Sequence, residues 1–364
     1  MKRILFVITG LGHGGAETQL LTMSAKLQSL GYDCLVVSMV NMDGILPRFR
    51  ELNIDVMCLE MPRGKLDFKA ILKFRGIVND FKPTIVHSHM IHANIFCRIA
   101  LIFSRIPLIN TAHNVFEGNW VLEFIFRYTN FACDYVTQVS DEGYQRYISK
   151  KLISKRNSKV VKNAINSPKV TEVKNIRHLL NEKYGVRDEF LFLSVGRLSP
   201  QKNYQMLFEA ILDIAGAHFL IVGGGPLESI LKNQVIALGL EKKVHFLGLR
   251  DDIYSLMVSS DCFLMCSTYE GLPIAILEAI SMKLPIVSTQ VGAVKSIVSS
   301  ENGYLVSPKE PSELRKAIVN VMNLDKRELK GMSDASYKRS HDYSIDIVID
   351  EWVHIYANLS NEKV

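Results

Sequence analysis

Short apolar runs rich in β-branched residues, "RILFVIT", "DCLVVSM", "TIVHSH", "PLINTAH" and "DYVTQVS", alternate with amphipathic stretches of helical length, and the rhythm later restarts with "FLFLSV", "HFLIVG", "KVHFLG", "DCFLMC" and "LPIVST". Runs so short and so uniformly apolar suit strands buried on both faces, and the amphipathic stretches between them suit helices laid over those faces. The pattern specifies an α/β protein with parallel sheets, and the restart specifies two doubly wound domains in tandem. A chain of 364 residues is long for one hydrophobic core and suited to two. Where the rhythm pauses, the chain reads "KKLISKRNSKVVKNAINSPKVTEVKNIR", a basic stretch with Ser, Asn and Pro. We expect an N-terminal domain over 1–168, a linker over 169–188, a C-terminal domain over 189–342, and a last helix over 343–364 free to cross back to the N-terminal domain.

Several classes are disfavoured. The six cysteines form no C-x-x-C pair and mostly sit in apolar runs, which suits buried thiols in a reducing compartment and not a zinc site or a disulfide framework. "MKRILFVITG" imitates a signal peptide, but "GLGHGGAE" follows where a cleavage site belongs, so a first buried strand is expected. Arg98 and Arg127 interrupt the best candidates for a membrane span. Up to Arg177 the chain carries 24 basic and 14 acidic residues, whereas the remainder carries 19 and 23. The basic first half points to an anionic partner, an anionic lipid surface or nucleic acid, and no nucleic-acid reader motif accompanies it.

In parallel α/β sheets ligands bind beyond the carboxyl ends of the strands, so the strand-end loops are where chemistry is expected. After the first strand, "TGLGHGGAE" lets the backbone at Gly14 and Gly15 approach a ligand closely and aims a helix N-terminus at it, a phosphate-type site. A dinucleotide reading would need an acidic residue ending the second strand, where Ser38, Met39 and Val40 stand. In "GRLSPQKN", Arg197 offers a bidentate fork and Lys202 a point charge, together an anion clamp. In "STYEGLPIAILEA", Glu270 falls just before an expected helix starting at Leu272 or Pro273, and Glu278 falls within it. Carboxylates accept from vicinal hydroxyls, so two of them flanking a phosphate site suggest sugar on both sides of a diphosphate. Spacing alone also allows Glu270 to be a covalent nucleophile. His87, His89 and His92 in "IVHSHMIHAN" raise a metal site as a rival reading, with His87 and His89 on one strand face.

"EGLPIAILEA" with "GRLSPQKN", "GGAE" and "TAHN", in this order along nearly the whole chain, resembles family 4 of the retaining, nucleotide-sugar-dependent glycosyltransferases. The resemblance implies the GT-B fold, two Rossmann-like domains facing across a cleft, and roles for individual residues. Arg197 and Lys202 bind the donor diphosphate and neutralise the departing nucleoside diphosphate with no metal and no cofactor. Glu270 holds hydroxyls of the donor sugar near its anomeric carbon, Glu278 holds the ribose, and the backbone of Gly271, Leu272 and Pro273 meets the phosphates or the sugar. His113 of "TAHN" is the active-site histidine. Leu249 and Arg250 in "KVHFLGLRDD" meet the nucleobase through backbone groups, whereas Asp251 and Asp252, by their position alone, are expected only to cap the next helix. Configuration is retained by front-face attack, with no protein nucleophile. The chain departs from the family at Gly224, where aspartate is common, and at Ala164, where glycine is usual.

The basic half also holds "KLDFKAILKFRGIVNDFK", with Lys65, Lys69 and Lys73 interleaved with Phe68, Ile71, Leu72 and Phe74, and "NWVLEFIFRYTNFACDY", with Trp120, Phe124 and Phe126. Such stretches suit an anionic inner-membrane face and a lipid-linked glycan acceptor. An ordinary core helix with a solvated lysine edge is the competing reading. The expected partners are a nucleotide-sugar, with UDP ahead of GDP by family frequency, and a glycan or polyprenyl-diphosphate-linked glycan. The expected location is the cytoplasm, peripherally on the membrane. A soluble acceptor and a non-catalytic nucleotide-sugar sensor are the alternatives.

Overall fold

The computed structural model describes residues 2–40, 44–62 and 67–361. The chain divides into two compact units, Met1–Ile165 together with Ser344–Val364, and Asn166–Tyr343. Each is a parallel sheet with helices over it, so the chain has two Rossmann-like domains.

In the first unit, β1 (Arg3–Ile8), β2 (Asp33–Ser38), β3 (Asp55–Cys58), β4 (Ile85–His89), β5 (Leu108–Ala112), β6 (Tyr135–Gln138) and β7 (Ser158–Val160) form a sheet in the order β3-β2-β1-β4-β5-β6-β7, all pairs parallel. β4 and β5 are buried along their whole length, as strands covered on both faces must be. The helix Gly15–Ser29 is ended by Gly31, which has φ +84°, a left-handed conformation that costs glycine no steric strain.

The helix Ile345–Asn361 belongs to this unit. Trp352, Ile355 and Tyr356 join Phe6, Leu20 and Met23 in one core cluster, and Lys26 pairs with Asp346 at 2.6 Å. Burying each such apolar side chain stabilises the fold by about 1.5–3 kcal/mol, so the returning helix is an integral part of this core.

In the second unit, β8 (Phe190–Val195), β9 (Ala217–Val222), β10 (Val244–Gly248), β11 (Cys262–Met265), β12 (Ile286–Thr289) and β13 (Gly303–Val306) run in the order β10-β9-β8-β11-β12-β13, again all parallel. Within 169–188 lies the helix Arg177–Tyr184, whose Arg177 donates to Asp261 Oδ2 at 2.9 Å and to the Glu189 carbonyl at 2.5 Å. Cys262 and Cys266 are buried free thiols in the core of this sheet.

Two sequence expectations divide along helix faces. Ile71, Phe74 and Phe126 are core residues, while Phe68, Leu72, Trp120 and Phe124 are exposed. A helix that is apolar on most of its circumference does not reveal which stripe turns inward, and the sheet it lies on decides. Lys65 lies outside the described residues. Among the described residues no helix is long and apolar enough to cross a membrane.

Candidate functional site

In the second unit strand order reverses between β8 and β11, and the loops leaving those two strands carry the expected clamp and the first of the expected glutamates. Lys202 Nζ donates to Glu270 Oε1 at 2.7 Å, with both side chains largely buried. Backbone contacts fix the two loops to each other: the Thr268 N–H donates to the Gln201 carbonyl at 2.8 Å, and Gln201 Nε2 donates to the Tyr269 carbonyl at 2.9 Å. Arg197, in the same loop as Lys202, is exposed.

Neighbouring strand-end loops are tied on in sheet order. The Gly223 N–H donates to the Gly248 carbonyl at 2.8 Å, and the Leu198 N–H donates to the Gly224 carbonyl at 3.0 Å. On the other side the Ala293 N–H donates to the Gly271 carbonyl at 2.8 Å. This continuous belt brings together Arg197, Lys202, Leu249, Arg250, Glu270, Gly271, Leu272 and Pro273. Glycines make the approaches possible. A β-carbon on Gly223, which sits at φ +135°, would overlap the Gly196 carbonyl oxygen; one on Gly292, at φ +54°, would overlap the Glu270 carbonyl oxygen and come within 2.6 Å of that of Gly271.

The helix after Glu270 runs from Ile274 to Ser281, with Pro273 at its cap in an extended conformation, so it starts just after the expected Leu272 or Pro273. Glu278 is half-buried on this helix. Leu249 is exposed, with its side chain beside Gly224. Asp252 does not cap its helix through its side chain as expected. It takes a two-point contact from Arg250, Nε to Oδ1 at 2.7 Å and Nη2 to Oδ2 at 2.6 Å. That contact holds the Asp252 carboxyl below its ordinary range.

The first unit has its own strand-order reversal, between β1 and β4. Gly14 caps the helix Gly15–Ser29 in extended backbone and Gly15 is its first residue; Glu17 from the first turn lies against Gly14. A β-carbon on Gly44 would come within 2.6 Å of the Leu11 carbonyl, so this turn is braced from below.

His113 follows β5. Its Nε2 lies 2.9 Å from His89 Nδ1, and its main-chain N–H and that of Asn114 both donate to Glu117 Oε1. Burial lowers the His113 pKa to about 4 and raises that of Glu117 to about 7. His87 is engaged at both nitrogens, by Tyr356 at 2.8 Å and Thr111 at 2.7 Å. Among the described residues no group of three or more His, Cys, Asp or Glu is arranged to hold a metal ion.

Gly223, Gly292 and Glu117 were not singled out from the sequence. Glu117 stands four residues beyond His113, close enough to have been weighed as its clasp. Gly223 and Gly292 gain their meaning only from the neighbouring loop each one touches.

Residues 13–167 match the family model described as Glycosyltransferase Family 4, and residues 177–339 match that of glycosyl transferases group 1. The chain is 29% identical over 272 residues, 70% of each chain, to the Escherichia coli UDP-Gal:alpha-D-GlcNAc-diphosphoundecaprenol alpha-1,3-galactosyltransferase. It is 25% identical over 385 residues, 99% of this chain and 100% of the relative, to a Campylobacter jejuni alpha-1,4-N-acetyl-D-galactosaminyltransferase whose named acceptor is a diphosphoundecaprenol-linked glycan. The fold matches that of Anabaena HepE, solved in complex with UDP and glucose, with a TM-score of 0.87 at 21% identity over 98% of this chain and 100% of that one.

Proposed function

We infer the reaction of this chain, which belongs to the family 4 glycosyltransferases and has their two-domain GT-B fold, to be transfer of a hexosyl unit from a UDP-sugar to a polyprenyl-diphosphate-linked glycan, with retention of anomeric configuration, in surface polysaccharide synthesis. The observation that carries this reading is the Lys202–Glu270 pair at the strand-order reversal of the second unit, a cation and a carboxylate side by side where a phosphate and a sugar hydroxyl would lie side by side. The named substrates of the Escherichia coli and Campylobacter jejuni relatives support the donor class and the lipid-linked acceptor.

In this reading Arg197 and Lys202 hold the diphosphate and stabilise the charge that builds on it as the glycosidic bond breaks. Glu270 accepts from hydroxyls of the transferred sugar. Glu278 accepts from the ribose hydroxyls, and the backbone at Leu249 and Arg250 meets the base. Gly14 and Gly15 give the donor phosphates a close backbone approach. The acceptor hydroxyl attacks the face the nucleotide leaves and passes its proton to the departing phosphate oxygen, so no side chain serves as nucleophile and no metal takes part. His113 serves as the active-site histidine contributed by the first unit.

The acceptor's lipid calls for a membrane face, and the first unit offers a candidate. The helices Ile91–Ala100 and Trp120–Tyr128 are held together by Arg98, which donates to the Phe126 carbonyl at 2.5 Å and to Asn130 Oδ1 at 3.1 Å. Around this joint Phe103, Trp120, Phe124, Tyr128 and Phe131 are exposed, with Arg105 and Arg127 exposed among them. Aromatic rings interleaved with arginines suit the headgroup region of an anionic leaflet.

The test is incubation with radiolabelled UDP-hexoses and undecaprenyl-diphosphate-GlcNAc in anionic vesicles. Label extracted with the lipid, in the same anomeric configuration as the donor, supports the reading. Label transferred only to soluble sugars, or inverted configuration, overturns it, and donor binding without transfer points to a sensor.

A further inference from the structure

The reversal point of the first unit holds a buried pair of imidazoles whose arrangement goes beyond the role given to His113. His89 ends β4 and His113 follows β5, and their rings stack with centroids 5.2 Å apart and planes 28° apart. Both are buried, and the facing nitrogens, Nδ1 of His89 and Nε2 of His113, are 2.9 Å apart. The outer nitrogens, Nε2 of His89 and Nδ1 of His113, are buried with no hydrogen-bond partner among the described residues. Two neutral rings in that contact share one proton. If both facing nitrogens carried a hydrogen the hydrogens would collide, and if neither did the lone pairs would repel, so fixing the proton on one ring fixes the tautomer of the other.

The surroundings hold this pair still. The His87 ring lies 4.2 Å behind His89, and both of its nitrogens are engaged, so it does not compete for His89. Phe6 packs against both rings, with its centroid 5.9 Å from that of His89 and 5.7 Å from that of His87. Immediately after His89, Met90 adopts φ +74°, a conformation that strains a side-chain-bearing residue and is kept only where the surrounding fold enforces it. The Met90 N–H donates to the Thr111 carbonyl at 3.1 Å, which ties the ends of β4 and β5. At His113 the main chain is clasped by Glu117.

We propose that His89 is a positioning residue for His113: it fixes the tautomer and direction of the His113 ring and so reserves His113 Nδ1, buried and unpartnered among the described residues, for the ligand. This rests on the reading of His113 as a residue of the transfer site. Desolvation keeps both rings less basic than an exposed histidine, so each remains neutral near pH 7.

The test reads the tautomer directly, by long-range proton–nitrogen correlation on the nitrogen-15-labelled full chain, with the His113 signals identified by their loss in His113→Gln. In the unsubstituted protein at neutral pH, His113 is expected to show one protonated and one bare ring nitrogen without averaging. In His89→Leu those signals should move to averaged positions, and turnover should fall at least about 10-fold while the KM for donor stays within about 3-fold. In His89→Asn, whose amide reaches where Nδ1 was, the fixed tautomer and most of the turnover should return. Averaged signals in the unsubstituted protein, or His113 signals unchanged by His89→Leu, would overturn the proposal. Should His89→Leu fail to fold, the unsubstituted spectrum and His89→Asn decide it. A fixed tautomer alongside full turnover by His113→Gln would leave the positioning standing and remove the role given to His113. An inactive His113→Gln with signals indifferent to His89 would do the reverse.

Discussion

Lys202 Nζ and Glu270 Oε1 lie 2.7 Å apart across the strand-order reversal of the second unit, although 68 positions separate them in the chain. The ammonium and the carboxylate are each largely out of water, so each depends on the other. Replacing one partner strands the other charge, which costs about 3–5 kcal/mol for a buried pair. Lys202→Met should therefore lower urea stability by about that amount, while Lys202→Met combined with Glu270→Gln should recover most of it and none of the transferase activity. Equal destabilisation in single and double variants would contradict the pairing.

Glu278 is tested by nucleotide affinity. If it accepts from the ribose hydroxyls, Glu278→Ala should weaken UDP binding by about 1–3 kcal/mol, the range for hydrogen bonds to a charged acceptor, and leave affinity for inorganic diphosphate unchanged. Unchanged UDP affinity would remove the ribose assignment.

Gly292 tests the belt of loops. Its left-handed backbone and its approach to the Glu270 and Gly271 carbonyls leave no room for a methyl group. Gly292→Ala should cost at least about 1–3 kcal/mol of stability and weaken donor binding, because the added methyl group presses on the neighbouring loop that carries Glu270. Gly216→Ala, at a left-handed turn with open space around the glycine, is the control: destabilised by backbone strain, with donor affinity kept.

The rhythm of apolar runs revealed two parallel sheets because strands buried on both faces must be apolar throughout, and that requirement is local. "GRLSPQKN" and "EGLPIAILEA" could be picked out as candidates for a similar reason, since each concentrates its polar residues within one short segment at a strand end. The bond between Lys202 and Glu270 was not legible, nor were Gly292 against Glu270 or Tyr356 against His87. Each depends on which strands become neighbours, and no period or spacing within a segment encodes that. The helix Trp120–Tyr128 shows the same limit in a smaller way. Phe124 and Phe126 stand two residues apart in an almost wholly apolar stretch, yet only Phe126 reaches the core.

Glu117 supplies a pH-dependent prediction. Its carboxyl is raised to about 7 in the folded chain by burial, above the ordinary carboxyl value, so the native state binds a proton that the unfolded chain has released. The stability it contributes is present in full below the unfolded carboxyl range and is lost as pH rises toward 7. Glu117→Gln keeps an acceptor for the His113 and Asn114 N–H groups and removes the titration. Between about pH 4.5 and 7 its stability should fall less with pH than that of the unsubstituted protein, by up to about 1.4 kcal/mol per pH unit. Parallel curves in urea titrations across that window would show that the carboxyl does not hold its proton there.

The measurement that tests the donor assignment most directly is calorimetric titration of the purified chain, and of Arg197→Ala, with UDP and with GDP, first without divalent metal and then with it. UDP is expected to bind without metal, more tightly than GDP, and to lose affinity in Arg197→Ala. Binding of neither nucleotide, a preference for GDP, or UDP affinity indifferent to Arg197 would contradict it.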